Sequence, residues 1–172
     1  MLRELANNLI DNALRYTPAG GTVTARVLRS GADVLVEVED TGPGIAELER
    51  PRVFDRFYRV LGTHAEGSGL GLAIVREIVE QHEARVSIHA PARANDAKLT
   101  GVLFRVCFER VPLDPLVPVQ QGTVRIVSTG RTRFADLPFV DQPCEEPGQG
   151  TADDAAATVS VVVALSSALA TP

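Results

Sequence analysis

Cysteine is scarce in this sequence: Cys107 and Cys144 are the only two, too few and too far apart for a zinc site or a disulfide framework. An excess of positive charge is missing as well. The 172 residues carry 17 Lys and Arg against 22 Asp and Glu, a formal net charge of -5. That balance argues against a nucleic-acid binder that works by neutralising phosphates over a broad surface. No leader-like apolar run occurs at the amino terminus, because Arg3, Glu4 and Asp11 interrupt it, and a cytoplasmic protein is the expectation. No internal repeat is evident. A hydrophobic content of 45% supports a packed core, and the length suits one ordinary domain with room for a tail.

Acidic charge and proline gather late in the chain. Residues 111 to 172 hold seven acids against three bases, and seven of the 11 prolines lie after residue 110. The expected division is therefore a folded domain over 1–110 and a proline-rich acidic tail over 111–172, disordered or loosely packed. Residues 155 to 172 contain no charge, a length that brushes what a membrane span needs. Ala, Ser and Thr dilute that run, so disorder or a loosely attached strand and helix is expected there instead.

The chain is organised around residues 4 to 18, ELANNLIDNALRYTP. Glu4, Asn8, Asn12 and Arg15 are spaced four, four and three apart, which puts them on one side of a helix. Leu5, Leu9, Ile10, Ala13 and Leu14 supply the apolar stripe that would seat the helix on a core. Thr17, Pro18 and Gly20-Gly21 then end it. Amide oxygens are hard, neutral ligands suited to a phosphate-bound Mg²⁺, and a guanidinium neutralises phosphate charge. Glu4 could polarise a nucleophile one turn away. The competing reading is a solvated helix face.

Residues 22 to 29 and 34 to 39 alternate apolar and polar side chains around Ser30 to Asp33, the pattern of a β-hairpin. The second strand runs into DTGPGI, 40 to 45, an open turn whose backbone can approach a ligand. Asp40 could accept a hydrogen bond from an exocyclic amine such as that of adenine, or merely start the turn. A short helix is expected over 46–50. Phe54 and Phe57 follow as core anchors or as fasteners of a mobile segment over 62–69. Gly67, Gly69 and Gly71 lead into a helix with Leu72, Val75, Ile78 and Val79 on one face, an anion site if its free backbone donors point at a ligand. Residues 85 to 89 and 102 to 108 read as two further strands.

ELANNLIDN, DTGPGI, FDRFYR and GSGLGLAIV occur in that order. Together they resemble the N, G1, F and G2 boxes of the ATP-binding domain of sensor histidine kinases, in the superfamily shared with gyrase, heat-shock chaperones and mismatch-repair ATPases. The resemblance covers roughly residues 2 to 109. It implies an α+β fold, a two-layer α/β sandwich with helices on one face of a mixed sheet, incomplete at the amino terminus, and ATP held between helix and lid. Position by position it implies Asn8 and Asn12 at Mg²⁺ and the phosphates, either being the direct ligand. Arg15 would lie by the phosphates, Tyr16 by the nucleotide and Asp40 on the adenine amine. Gly42 and Gly44 would shape the adenine pocket, while Gly67, Gly69, Leu70 and Gly71 would hold lid and phosphates. Glu4 is a weaker transfer, because the family does not fix a carboxylate there.

The implied function is the ATP-binding catalytic module of a two-component kinase, moving the γ-phosphoryl group to a histidine on a separate dimerisation domain and then to a response regulator. Membrane association would come only through a partner or parent protein. The sequence also departs from the family. It begins almost at the N box, so the preceding strand and helix, and the helical domain with the phosphoacceptor, are not represented. His64, His82 and His89 are expected to be surface or packing residues. Glu83 and Ala84 stand where the family often has two glycines. The expectation is a module that binds nucleotide but does not phosphorylate itself. The alternatives are a non-catalytic nucleotide-dependent interaction module and a truncated remnant.

Overall fold

The computed structural model describes residues 1–60, 67–91, 100–109 and 122–128. Two helices, α1 (Leu2–Tyr16) and α2 (Gly71–Gln81), pack against five strands. The strands are β1 (Thr22–Ser30), β2 (Asp33–Asp40), β3 (Arg85–His89), β4 (Val102–Phe108) and β5 (Gly122–Val127), in the sheet order β3-β4-β2-β1-β5. Each of these pairings is antiparallel. The expected two-layer arrangement, with helices on one face of an open sheet, is the one observed.

Local sequence accounts for each helix and its end. α1 buries Leu5, Ala6, Leu9, Ile10, Ala13 and Leu14, a stripe set by the 3.6-residue period. Its first turn holds Glu4 and its last holds Arg15, both favourable to the helix dipole. Thr17 closes it by donating its N–H (3.0 Å) and its hydroxyl (2.7 Å) to the Ala13 carbonyl. α2 ends in a Schellman motif: Ala84 N–H donates to Val79 O and Glu83 N–H to Glu80 O. Glu83 occupies the left-handed position at φ 50, where glycine is the usual residue.

The core lies between the helices and one face of the sheet. Val23, Ala25 and Val27 of β1, Val34, Val36 and Val38 of β2, and Val102, Phe104, Val106 and Phe108 of β4 meet the α1 stripe and Val75, Ile78 and Val79 of α2. Burying each such aliphatic side chain contributes about 1.5 to 3 kcal/mol. On the opposite face one row runs Arg26, Glu37, Arg105 across β1, β2 and β4. Arg105 Nη2 is 2.7 Å and Arg26 Nη1 is 3.5 Å from Glu37, and Arg26 Nη2 is 2.6 Å from Glu39. A one-residue slip would drive these charges into the core, so the row holds the register.

Two segments differ from expectation. Residues 46 to 50 form consecutive turns, with Glu49 and Arg50 N–H groups both donating to Ala46 O, and no regular helix. Phe54 is an anchor, meeting Phe104 edge to face at 6.2 Å, but Phe57 is 71% exposed with φ 64. β5 comes from the stretch beyond residue 110. Among the described residues no helix is long and apolar enough to cross a membrane. The uncharged run 155–172 and His64 lie outside the described residues.

Candidate functional site

The polar edge of α1, the loop after β2, the end of the FDRFYR segment and the start of α2 converge on one cleft of about 180 Å³. Asn8, Asn12, Arg15 and Tyr16 line it from α1; Asp40, Pro43, Gly44 and Ile45 line it from β2 and the following loop. Gly67, Gly69, Gly71 and Leu72 complete it from the glycine-rich turn. Helical spacing gathers the α1 side chains, because the same period that buries one stripe turns the opposite edge outward.

Asp40 is the buried charge of the site, 2% exposed at the end of β2. Burial pushes its carboxyl from 3.8 up to about 6, against the Gly42 and Val102 backbone donors, which lower it. Gly42 N–H donates to Oδ1 at 2.8 Å. The cost of burying the group is thereby only partly offset, which leaves a carboxylate with acceptor capacity in a cleft whose lining also includes the apolar Ile45, Val53, Leu72 and Val102.

At α2, Leu70 is the N-cap, its carbonyl accepting from Ile74 N–H at 2.9 Å, and Gly71 and Leu72 in the first turn line the cleft. The first N–H groups of a helix lack intrahelical acceptors and carry the positive end of its dipole. Arg15 lies against Gly67, where any side chain would collide with its guanidinium. Asn8 Nδ2 donates to the Glu4 carbonyl at 2.8 Å, and Asn8 Oδ1 lies 3.1 Å from where a Gly71 side chain would begin. The amide oxygen is therefore turned toward the start of α2.

The flanks of the 58–68 segment are pinned together. Phe57 N–H donates to Gly69 O at 2.8 Å, and Gly69 sits at φ 71 so close to the Phe57 backbone that a Cβ would be 2.8 Å from it. Only glycine meets both conditions. Arg56 reaches Glu77 at 3.5 Å, tying the same segment to α2.

Of the residues singled out from the sequence, Asn8, Asn12, Arg15, Tyr16, Asp40, Gly44, Gly67, Gly69 and Gly71 line the cleft. Gly42 stands behind Asp40 as its donor, and Leu70 caps α2. Glu4 is exposed and is not among the lining residues; the contact it makes is through its carbonyl to Asn8. Asp11, Ser68, Tyr58, Arg59 and Val102 also line the cleft, though the sequence reading did not assign them there. Asp11 was legible, since it stands three residues after Asn8 and four before Arg15. Gly101 was not: at φ 151 it packs directly on the Asp40 carbonyl, a contact between segments 61 residues apart.

A buried acceptor, a row of amide and guanidinium groups and a glycine-led helix start around one cleft define a nucleotide-binding module on a two-layer α+β sandwich. The chain belongs to the histidine kinase-, DNA gyrase B- and HSP90-like ATPase family, whose profile matches residues 1–115. It is similar to the sensor protein kinase PmrB of Pseudomonas aeruginosa, 48% identical over 88 residues that make up 51% of this chain and 18% of PmrB. In structure it is similar to the mycobacterial sensor histidine kinase MprB, with TM-score 0.54 and 33% identity over 64% of this chain and 70% of that one. Full-length ShkA in complex with AMPPNP gives TM-score 0.50 and 30% identity over 65% of this chain and 23% of that one. The chain thus spans roughly a fifth of the curated relatives it matches, 18% of PmrB and 22% of the Escherichia coli sensor histidine kinase CusS. It carries the ATP-binding catalytic domain of the sensor histidine kinases.

Proposed function

We propose that this chain binds Mg²⁺-ATP in the cleft and delivers the γ-phosphoryl group to a histidine on a dimerisation domain carried elsewhere, with a response regulator as the next acceptor and the cytoplasm as the compartment. The observation that carries the reading is that the buried Asp40, the Asn8, Asn12 and Arg15 edge and the start of α2 line one cleft. The AMPPNP complex of full-length ShkA supports it.

Asp40 accepts the adenine amine, and Gly42 and Gly44 let the backbone approach the ring. Tyr16 packs by the nucleotide. Arg15, Gly67, Gly69 and the first amides of α2 neutralise and orient the phosphates. Such chemistry rests on positioning and charge neutralisation.

The donor set fits Mg²⁺. The described residues hold no group of three or more His, Cys, Asp or Glu side chains suited to a metal; an ion held here would rest on the asparagine amides together with phosphate oxygens and water, a donor set that suits Mg²⁺. Asn8 and Asn12 would hold the ion, and Asn8 is oriented for it, its NH₂ engaged by Glu4 and its oxygen turned toward α2. When bound, the ion supplies charge neutralisation across the phosphate oxygens.

Calorimetry of the full chain with ATP, with and without Mg²⁺, tests the assignment. Asn8→Ala is expected to weaken Mg²⁺-ATP at least about tenfold while changing Mg²⁺-free ATP far less. Equal losses for both forms, in Asn8→Ala and Asn12→Ala alike, remove the metal role from this helix.

A further inference from the structure

β5 lies beyond residue 115, where the match to the family ends, yet it is built into the domain. It pairs with β1 from Thr22 opposite Val127 to Val27 opposite Gly122, and its Ile126 belongs to the core. The residue that follows, Ser128, is 2% exposed and grips the turn that ends α1. Its N–H donates to Gly21 O at 2.8 Å and its carbonyl accepts from Gly20 N–H at 2.9 Å. Its hydroxyl donates to Thr17 O at 3.1 Å.

That turn is joined to the cleft. Thr17 follows Tyr16, whose carbonyl oxygen lies 2.7 Å from where a Gly42 side chain would begin. Thr22 and Thr41 exchange two hydrogen bonds, Thr41 N–H to Thr22 O at 3.1 Å and Thr22 N–H to Thr41 Oγ1 at 2.9 Å. Thr41 stands between Asp40 and Gly42. A short relay of hydrogen bonds and backbone contacts therefore connects Ser128 with the loop that presents the Asp40 carboxylate.

We propose that β5 and Ser128 brace the carboxyl end of α1 against the Asp40 loop, which makes Ser128 a positioning residue for recognition of the base and extends the working nucleotide module to residue 128. The inference rests on the nucleotide reading above. Thr17 is 2% exposed, and its carbonyl, at a helix end, has no acceptor role inside the helix. Removing the Ser128 hydroxyl withdraws a donor from a buried carbonyl, and the turn relaxes to recover one.

The test compares the full wild-type chain with Ser128→Ala, and with Val127→Ala as an exposed control on the same strand. Calorimetry measures binding of ATP and of purine riboside triphosphate, which lacks the amine, while thermal unfolding is recorded in parallel. Ser128→Ala is expected to weaken ATP about five- to tenfold and to shrink its preference over the analogue. Val127→Ala is expected to change neither. A loss of thermal stability alone, with the preference intact, would reduce Ser128 to a structural residue and overturn the proposal. A wild-type chain that binds no nucleotide would overturn the reading beneath it. Hydrogen exchange on the wild-type chain decides the matter should Ser128→Ala not fold. ATP is expected to slow the Gly20 and Ser128 amides along with that of Gly42, and slowing at Gly42 alone refutes the brace.

Discussion

The proposed recognition of the adenine amine by Asp40 can be tested directly, because the amine can be deleted from the ligand and the carboxylate from the protein. The Asp40 carboxylate is 2% exposed and accepts from Gly42 N–H at 2.8 Å. A hydrogen bond from the amine to this charged, buried acceptor is worth about 1.5 to 3 kcal/mol, so ATP should bind roughly 10- to 150-fold tighter than purine riboside triphosphate. Asp40→Asn keeps one oxygen for the Gly42 donor but presents an NH₂ group where an acceptor is needed. The preference should then fall to within about threefold.

Proton linkage supplies an independent handle. Burial raises the Asp40 pKa from 3.8 to about 6, a difference of roughly 3 kcal/mol in favour of the neutral acid in the folded protein. Above about pH 6 the carboxylate is charged in folded and unfolded chains alike, and the penalty is fully present. As pH falls from about 6 to 3.8 the folded protein takes up the proton first, so the Asp40 penalty is progressively relieved and is gone below about 3.8. The charged form is the stronger acceptor of the amine. The preference for ATP over the analogue should therefore decline as pH is lowered through about 6 in the wild type and stay flat in Asp40→Asn. Because both ligands carry the same triphosphate, its own protonation cancels in the ratio. A wild-type preference that Asp40→Asn retains in full, or one that is independent of pH, would refute the assignment.

Other outcomes follow from the same geometry. Glu4 is exposed one turn before Asn8, so Glu4→Gln should leave ATP affinity unchanged and slow transfer to an added phosphoacceptor domain; equal transfer by variant and wild type would end its candidacy as a base. Glu83 holds φ 50 at the end of α2, and relief of that strain, about 1 kcal/mol, should outweigh the greater freedom of glycine in the unfolded chain. Glu83→Gly should accordingly raise the melting temperature by a few degrees, and a lower value would contradict the account. Gly101 stands at φ 151 against the Asp40 carbonyl, so Gly101→Ala should cost about 3 kcal/mol or more in chemical denaturation. Gly122→Ala, with nothing within 4 Å of its new methyl, is the matched control and should be close to neutral.

Patterns carried by near neighbours could be read without coordinates. α1 and α2 followed from apolar residues three and four apart, the β1-β2 hairpin from strict alternation around Gly31, and the cleft-facing Asn8, Asn12 and Arg15 from the same period that buries Leu5 and Leu9. Glycine placement marked the start of α2 because it alone tolerates the approach of Phe57 to Gly69. Of the two readings open for Phe57, core anchor or fastener of the segment over 62–69, its exposure removes the first. Its side chain direction depends on a left-handed backbone, fixed by a bond to Gly69 across the 58–68 segment.

By itself, then, the sequence determined α1, α2 and β1 to β4, which of their faces are apolar, and which polar groups share an edge, since each depends on residues within one or two turns of one another. Tertiary structure alone decided that Gly101 and Val102 close behind Asp40, that Asn8 turns its oxygen toward α2, and that β5 pairs with β1 and delivers Ser128 to the end of α1. Those contacts join segments far apart in the chain, and no local period encodes them; they follow from how the strands are ordered in the sheet and from which buried donors and acceptors must find a partner once the layers close.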